Sequence, residues 1–188
     1  MFEHERKYLL TYTEYTLLCN SFNGTTHTHI NYYYDTENYA YNRRGVTCRI
    51  RKKGDACTAT IKAHGIFSAD CSHETSVVAR DEYDTTLFEG MHVVYQGCLQ
   101  TERKEFFLPD GTCVALDKNT YLDEVDYELE IEYPSQPVPW LDDPLRPFAE
   151  VLTDLLPEKY FFSFCARRPN RQSKSARFFA RKMKQQRG

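Results

Sequence analysis

The sequence lacks the features of membrane and secreted proteins. It contains no run of 18 apolar residues, and its first residues are charged rather than a basic segment leading into an apolar one. Neither a membrane-spanning helix nor a secretory signal is therefore predicted, and a cytoplasmic location is the default expectation. Internal repeats and low-complexity linkers are also missing, so we expect a single domain over residues 1–188.

Paired cysteine motifs are missing as well. The chain has seven cysteines, an odd number, and no C-x-x-C pair. This pattern argues against a disulfide framework and against a structural zinc site. We expect reduced and mostly buried thiols.

Acidic residues are missing from the C-terminal segment. Residues 166–188 carry nine Lys or Arg and no acid, whereas the preceding chain holds 15 basic and 27 acidic residues. A basic helix is predicted over about 172–185. Such a segment is most often a solvated helix face, and attraction of polyphosphate or nucleic acid stays open.

What is present is a series of short extended segments. Hairpin turns are predicted at Lys53-Gly54-Asp55 and at Pro109-Asp110-Gly111. Apolar residues at helical spacing predict a short helix over 13–22 and a second one over 144–160. The simplest account is a domain of about eight strands with a few helices.

Within each strand, polar and apolar residues alternate, so residues of odd and even number (their parity) lie on opposite faces of the sheet. In 127–133, Tyr127, Leu129, Ile131 and Tyr133 alternate with three glutamates, and in 47–51 Cys48 and Ile50 alternate with Thr47, Arg49 and Arg51. Neighbouring like charges on an exposed sheet would cost a few tenths to about 1 kcal/mol per opposed pair. A closed barrel with a polar interior offsets this cost and leaves no exposed edge. The predicted fold is therefore mainly β (α+β): an eight-stranded antiparallel closed β-barrel with helices packed outside.

The polar interior predicts a ligand. Carboxylates along strands suit hard cations such as Mg²⁺ or Mn²⁺, and Arg and Lys suit phosphate oxygens. A polyanion that carries a metal ion is the natural occupant.

The order of the charged motifs resembles the CYTH domain family, also called triphosphate tunnel metalloenzymes. The N-terminal "EHERK" is similar to its E-x-E-x-K signature, and further similar elements span residues 3–178 in order: "NYYYDT", "CRIRKK", "TATIKA", "SHETSVV", "QTERKEF", "VALDKNTY", "DYELEIEY" and "SKSARFF". Asp123 stands where the family often has Gly, and the tail is unusually basic. Neither departure touches the expected chemistry.

The resemblance implies a triphosphate tunnel and a role for each matching residue. The expected triphosphate-binding residues are Lys7, Arg49, Arg51, Lys62, Arg103 and Lys174. The expected metal ligands, for Mg²⁺ or Mn²⁺, are Glu3, Glu5, Glu128 and Glu130. The residues expected to act in catalysis are Glu5, Lys7, Glu74 and Asp117, of which Glu74 and Asp117 complete the metal shell or orient water.

Three functions remain open at this point. The first is metal-dependent hydrolysis of tripolyphosphate or a simple organic triphosphate such as thiamine triphosphate, with phosphate released. The second is an adenylate cyclase-type lyase, and the third is a non-catalytic sensor of nucleotides or polyphosphate. Because no base-reading pocket is evident and the single Trp140 lies after the last strand, hydrolysis needs the fewest assumptions. The expected partner is a small triphosphate or polyphosphate, not a membrane or nucleic acid. A self-neutralising charge network without a ligand is the structural alternative.

Overall fold

The computed structural model describes residues 2–21, 23–64, 71–109, 111–133, 170 and 172–187, with the backbone alone at 2–4 and 71. The elements are β1 (Phe2–Leu10), α1 (Tyr12–Ser21), β2 (Thr25–Asp35), β3 (Val46–Lys53), β4 (Ala56–His64), β5 (Cys71–Ala79), β6 (Val94–Phe107), β7 (Cys113–Tyr121), β8 (Glu124–Tyr133) and α2 (Lys174–Gln185). The helix predicted over 144–160 and Trp140 lie outside the described residues. No helix in the described part of the chain is long and apolar enough to cross a membrane.

The eight strands form a closed antiparallel barrel in the order β1-β5-β4-β3-β2-β6-β7-β8. Closure follows from the two partners of β1: Glu5 lies opposite Glu132 of β8, and Glu3 lies opposite Ser72 of β5. The predicted hairpin between β3 and β4 is present, with Gly54 in the left-handed region at φ 59°. The predicted barrel is therefore confirmed.

The strand register confirms the division of residues by parity. Arg49 lies opposite Thr60 and Tyr33, while Lys7 lies opposite Glu130, so the charged positions of neighbouring strands share the inner face. The outer face is apolar and partly covered by α1. Leu18 of α1 packs in one cluster with residues of β1, β7 and β8: Tyr8, Leu10, Val114, Leu116, Leu129 and Ile131.

The position of α2 differs from the expectation that helices pack outside. Phe178 and Phe179 of α2 pack with Tyr33, Leu99 and Tyr121, which share the parity of the inner face. These three residues lie at the same end of the barrel, and α2 therefore closes that end. Parity within strands predicts which face is polar, but it carries no information on how a terminal helix docks.

A glycine permits this approach of the helix. Gly97 of β6 adopts φ 135°, next to a register shift between Tyr33 and Tyr34 of β2. A Cβ atom at this position would lie 2.8 Å from Cζ of Phe178. A side chain here would displace Phe178, so Gly97 is needed both for the backbone conformation and for the packing of α2.

Candidate functional site

An acidic cluster lies inside the barrel where β7 and β8 run side by side. Asp117, Glu128 and Glu130 each offer a carboxylate oxygen, and these oxygens lie within 4.8 Å of one another. Asp117 lies opposite Glu128 in the strand register, and Glu130 is two residues further along the same face of β8. Asp117 and Glu128 are fully buried. We call these three residues the acidic trio.

Two basic side chains, one from β6 and one from α2, bind the acidic trio. Arg103 of β6 donates from Nε to Oδ1 of Asp117 at 2.7 Å and from Nη2 to Oδ2 at 2.6 Å, and Nη2 also contacts Glu130. Arg177 of α2 donates from Nη1 and Nη2 to the two oxygens of Glu128 at 3.0 and 3.1 Å. The trio is therefore enclosed by cationic side chains of β6 and α2.

Lys174 completes the enclosure of the acidic trio. Its Nζ lies 2.8 Å from Asp117, 2.7 Å from Glu128 and 2.7 Å from Glu130. Burial alone would raise the pKa of Glu130, but the charges of Lys174 and Arg103 outweigh it and hold this pKa well below its usual range. The pKa of Lys174 is raised, because the three carboxylates outweigh the effect of burial.

Glu5 belongs to a separate group at the same cavity. Lys7 and Lys62 place their Nζ atoms 2.5 and 3.0 Å from Oε1 of Glu5. Burial raises the pKa of Glu5, but these two charges dominate and lower it to about 2. Lys7 also lies 3.8 Å from Glu130 and so connects Glu5 with the acidic trio.

The wall formed by β2 and β3 is basic and carries unpaired donors. Arg51 donates from Nε to Oδ1 of Asn31 at 2.9 Å, and no carboxylate of the described residues lies within ion-pair distance of it. Burial, together with the charges of Arg49 and Arg103, lowers the pKa of Arg51 to about 9. Nε of Arg49 and Nδ2 of Asn31 are buried without a hydrogen-bond partner among the described residues. Unpaired buried donors of this kind favour a bound anion.

Glu74 lies on this basic side and outside the acidic trio. Its carboxylate is 3.5 Å from Nη2 of Arg49 and accepts a hydrogen bond from Oγ of Ser76 at 2.8 Å. Burial raises the pKa of Glu74, but the charge of Arg49 and the hydrogen bond from Ser76 outweigh burial, so the pKa lies below its ordinary value. The structure thus separates Glu74 from Asp117, two residues that were expected to share one role at the metal.

A cavity of about 80 Å³ is lined by residues from both the acidic and the basic side, and its volume is several times the roughly 10–15 Å³ that one water needs. Glu5, Glu130 and Glu132 line the cavity. All six residues expected to bind triphosphate line it as well: Lys7, Arg49, Arg51, Lys62, Arg103 and Lys174. Of the expected metal ligands, the structure brings Glu128 and Glu130 together with Asp117 and places Glu5 apart with two lysines. The side chain of Glu3 lies outside the described residues.

A group of neutral side chains at the start of α2 was not predicted from the sequence. Oγ of Ser175 lies 2.6 Å from Oγ1 of Thr47 on β3, and 2.8 Å from Oγ of Ser173. Thr47 also lies 3.3 Å from Nε2 of His64 on β4. These hydroxyl contacts fix the start of α2, and therefore Lys174, against the barrel wall.

Two further site residues were missed although the sequence carried a signal for each. Asn31 shares the parity of Tyr33 on β2, which places it on the charged face with Arg51. Arg177 stands three residues after Lys174 on a predicted helix, a spacing that brings both side chains to one side.

His29 is a neutral group among the cations and predicts a dependence of stability on pH. It is 2% exposed, and burial together with Arg51 and Arg103 lowers its pKa to about 2. The unfolded chain takes up a proton near pH 6.5 while the native state does not, so stability falls as the pH drops below about 6.5. This histidine alone should cost about 2 kcal/mol of unfolding free energy between pH 7 and pH 5.

Urea unfolding of His29→Gln at these two pH values tests this prediction. Between pH 7 and pH 5, the free energy of unfolding of the variant should fall by about 2 kcal/mol less than that of the wild type. Contributions of Glu5 are lost only below about pH 4.5 and do not interfere. His92→Asn, at an exposed position with φ 52° that Asn tolerates, is the control and should keep the wild-type difference. An unchanged difference in His29→Gln contradicts the prediction.

The acidic trio fits a hard divalent cation, because it offers three converging carboxylate oxygens and no nitrogen or sulfur. In the described residues, the five cysteines, Cys19, Cys48, Cys57, Cys98 and Cys113, are free thiols. The donors of the acidic trio are all oxygen atoms, the kind of ligand that hard cations prefer.

Comparison with solved structures supports the same fold. A candidate adenylate cyclase from Bacillus halodurans superimposes with a TM-score of 0.68 at 23% identity over 94% of this chain and 97% of that chain. A candidate adenylyl cyclase from Hippeastrum, HpAC1, described as having a dominant triphosphatase activity, gives a TM-score of 0.60 at 18% identity over 95% of each chain. The PH1819 protein from Pyrococcus horikoshii OT3 gives 0.64 at 16% identity over 95% and 99% of the two chains.

The sequence comparisons identify the family. Among curated protein sequences, none matches the chain significantly. The family model described as the CYTH domain matches residues 1–152, which include all eight strands of the barrel. The chain belongs to the CYTH domain family.

Proposed function

We propose that this protein is a metal-dependent triphosphatase that hydrolyses tripolyphosphate or a simple organic triphosphate and releases phosphate. The observation that carries the proposal is the unequal pairing of charges across the cavity. The acidic trio is surrounded by cations, whereas on the opposite wall Arg51 pairs with the amide of Asn31 instead of a carboxylate and Nε of Arg49 lacks a hydrogen-bond partner among the described residues. A self-neutralising network would pair both walls, and a polyanion supplies what the basic wall lacks.

The cavity residues have distinct tasks in this proposal. Arg49, Arg51 and Lys62 bind the phosphate oxygens on the basic wall, and Asn31 orients the guanidinium of Arg51 through its bond to Nε. Arg103 and Lys174 approach the phosphates from the acidic side. Positioning and charge neutralisation of this kind supply most of the rate of phosphoryl transfer.

The acidic trio would hold the metal ion. Mg²⁺ or Mn²⁺ at the carboxylates of Asp117, Glu128 and Glu130 would supply positive charge to the phosphate oxygens. Glu5, with its pKa lowered to about 2, stays ionised throughout the neutral range and keeps Lys7 and Lys62 in place. Water attacks the terminal phosphorus, the bond to the bridging oxygen breaks, and the proton of the water is released with the phosphate product.

The lining of the cavity favours a substrate without a base. Apart from Tyr33 and His64, the described lining residues are charged or carry hydroxyl groups. An adenine ring would need an apolar or aromatic surface to stack on. For this reason we place hydrolysis before the cyclase reaction.

One assay of wild-type protein tests the proposed function. We expect phosphate release from tripolyphosphate or thiamine triphosphate with Mg²⁺ or Mn²⁺, and none when EDTA removes the metal. ATP is included, and phosphate, pyrophosphate and cyclic AMP are measured separately. Formation of cyclic AMP would contradict the proposed hydrolysis and indicate a cyclase. Binding without turnover of any substrate would indicate a sensor.

We also propose that residues 1–188 form a single domain. The support is the docking of α2, whose Phe178 and Phe179 pack inside the barrel and whose Lys174 lines the cavity. Two basic side chains of α2 beyond the site have local partners: Arg181 pairs with Asp123, and Lys182 donates to Oε1 of Gln96 at 3.0 Å. This pairing supports a small triphosphate ligand rather than nucleic acid.

A further inference from the structure

The ammonium group of Lys174 lies at the point where the acidic trio converges. Its Nζ is 2.7–2.8 Å from Oδ2 of Asp117, Oε2 of Glu128 and Oε1 of Glu130. A lysine ammonium has three N–H donors, and here three carboxylates surround it. Lys174 therefore occupies the position that a cation held by these three oxygens would take.

Every carboxylate oxygen of the acidic trio is engaged by a cation. Arg103 binds both oxygens of Asp117 and one of Glu130. Arg177 binds both oxygens of Glu128, and the remaining oxygen of Glu130 accepts from Lys174. A metal ion cannot reach three of these oxygens at about 2.1 Å while an ammonium group lies between them.

Withdrawal of Lys174 would open one coordination point without dismantling the rest. Arg103 and Arg177 would still orient Asp117 and Glu128 from the outside, since their bonds do not involve Lys174. The three oxygens that now face Nζ would each gain a free lone pair directed at a common centre. The distance from each oxygen to this centre would then shorten by roughly 0.6–0.7 Å, from the present contact with Nζ to the metal–oxygen distance that suits Mg²⁺ or Mn²⁺.

We propose that Lys174 is the internal counter-ion of the metal site, and that triphosphate admits the metal by drawing Lys174 away from the acidic trio. The inference rests on the proposed function. Lys174 also lines the cavity, so a phosphate chain there offers its ammonium group a new anionic partner. By thermodynamic linkage, the metal and the triphosphate each increase the affinity for the other.

Titration of the ligand-free protein with Mn²⁺ tests this exchange without any substrate. The loss of the electron paramagnetic resonance signal of free Mn²⁺ reports binding. We expect weak binding to wild type and an affinity at least about tenfold higher in Lys174→Met, because the competing charge is gone. Lys174→Gln, which keeps a polar side chain of similar length, should show the same gain and serves if Lys174→Met does not fold.

The matched control is Lys182→Met. Lys182 lies eight residues further along α2 and donates to Gln96 rather than to a carboxylate. This variant loses the same charge from the same helix and should bind Mn²⁺ as wild type does. Equal affinities in wild type and the Lys174 variants, or low-micromolar binding by ligand-free wild type, would overturn the proposal.

The titration also separates this inference from the proposed function. If the Lys174 variants gain affinity but wild type hydrolyses no triphosphate, the proposed function fails and the exchange stands. If wild type hydrolyses tripolyphosphate but the variants gain nothing, the exchange fails and the function stands.

Discussion

Replacement of Glu130 by glutamine is expected to lower phosphate release from tripolyphosphate by about a hundredfold or more. Glu130 contacts Lys174 at 2.7 Å, Lys7 at 3.8 Å and Arg103, so its charge organises three of the cavity's cations. It is also one of the three candidate metal ligands. Glutamine keeps the shape but supplies neither the charge nor a strong metal ligand.

The fold should survive this substitution. Asp117 still pairs with Arg103 and Lys174, so the cations next to position 130 keep one carboxylate partner. Phosphate release under saturating Mg²⁺ or Mn²⁺ measures the effect, with circular dichroism as the check on folding. Glu102→Gln is the control, because Glu102 pairs with Lys118 in a half-exposed position and carries the same charge. Glu130→Gln activity within about threefold of wild type, a difference of under 1 kcal/mol in barrier height, would remove Glu130 from the mechanism.

Replacement of Arg177 by methionine is expected to lower the free energy of unfolding by about 3 kcal/mol or more. Arg177 is buried, binds both oxygens of Glu128, and donates from Nε to Asp126 at 2.8 Å. Its removal leaves the buried carboxylate of Glu128 and the partly buried carboxylate of Asp126 with fewer partners, and it releases α2 from β8. Unpaired buried charge is among the most destabilising changes in a folded protein.

The same helix provides a control for this loss of stability. Arg181 stands four residues after Arg177 and pairs with Asp123 and Glu124, whose side chains are about half exposed. Arg181→Met should cost less than about 1 kcal/mol, since exposed ion pairs contribute little. Urea unfolding of both variants at pH 7 gives the comparison. Losses of equal size would show that Arg177 does not anchor the helix.

The barrel was predictable because one periodicity governs the whole chain. In β8, Leu129 and Ile131 alternate with glutamates, and a strand with this pattern must place its charges on one face. When several strands share the pattern, closure is the arrangement that removes both the edges and the exposed like charges. The observed register confirms this, with Lys7 opposite Glu130.

The pairing within the interior was not predictable in the same way. Glu5 and Glu130 both lie on the inner face, yet Glu5 pairs with two lysines while Glu130 joins Asp117 and Glu128. Parity assigns a face to each residue but not a partner across the barrel. Partners depend on the shear of the closed sheet and on side-chain length, which no single strand encodes.

The sequence by itself determined the family, the barrel and the charged inner face of this protein, because these follow from local alternation and from the order of motifs. The tertiary structure decided where α2 docks and which carboxylates the first turn of this helix contacts. Phe178 and Phe179 close one end of the barrel, and this docking places Lys174 between three carboxylates. Lys174 contacts Glu130 and Asp117, which lie 44 and 57 positions earlier in the chain, only because the helix docks against the closed sheet. These contacts set which charges are paired and which remain for a ligand.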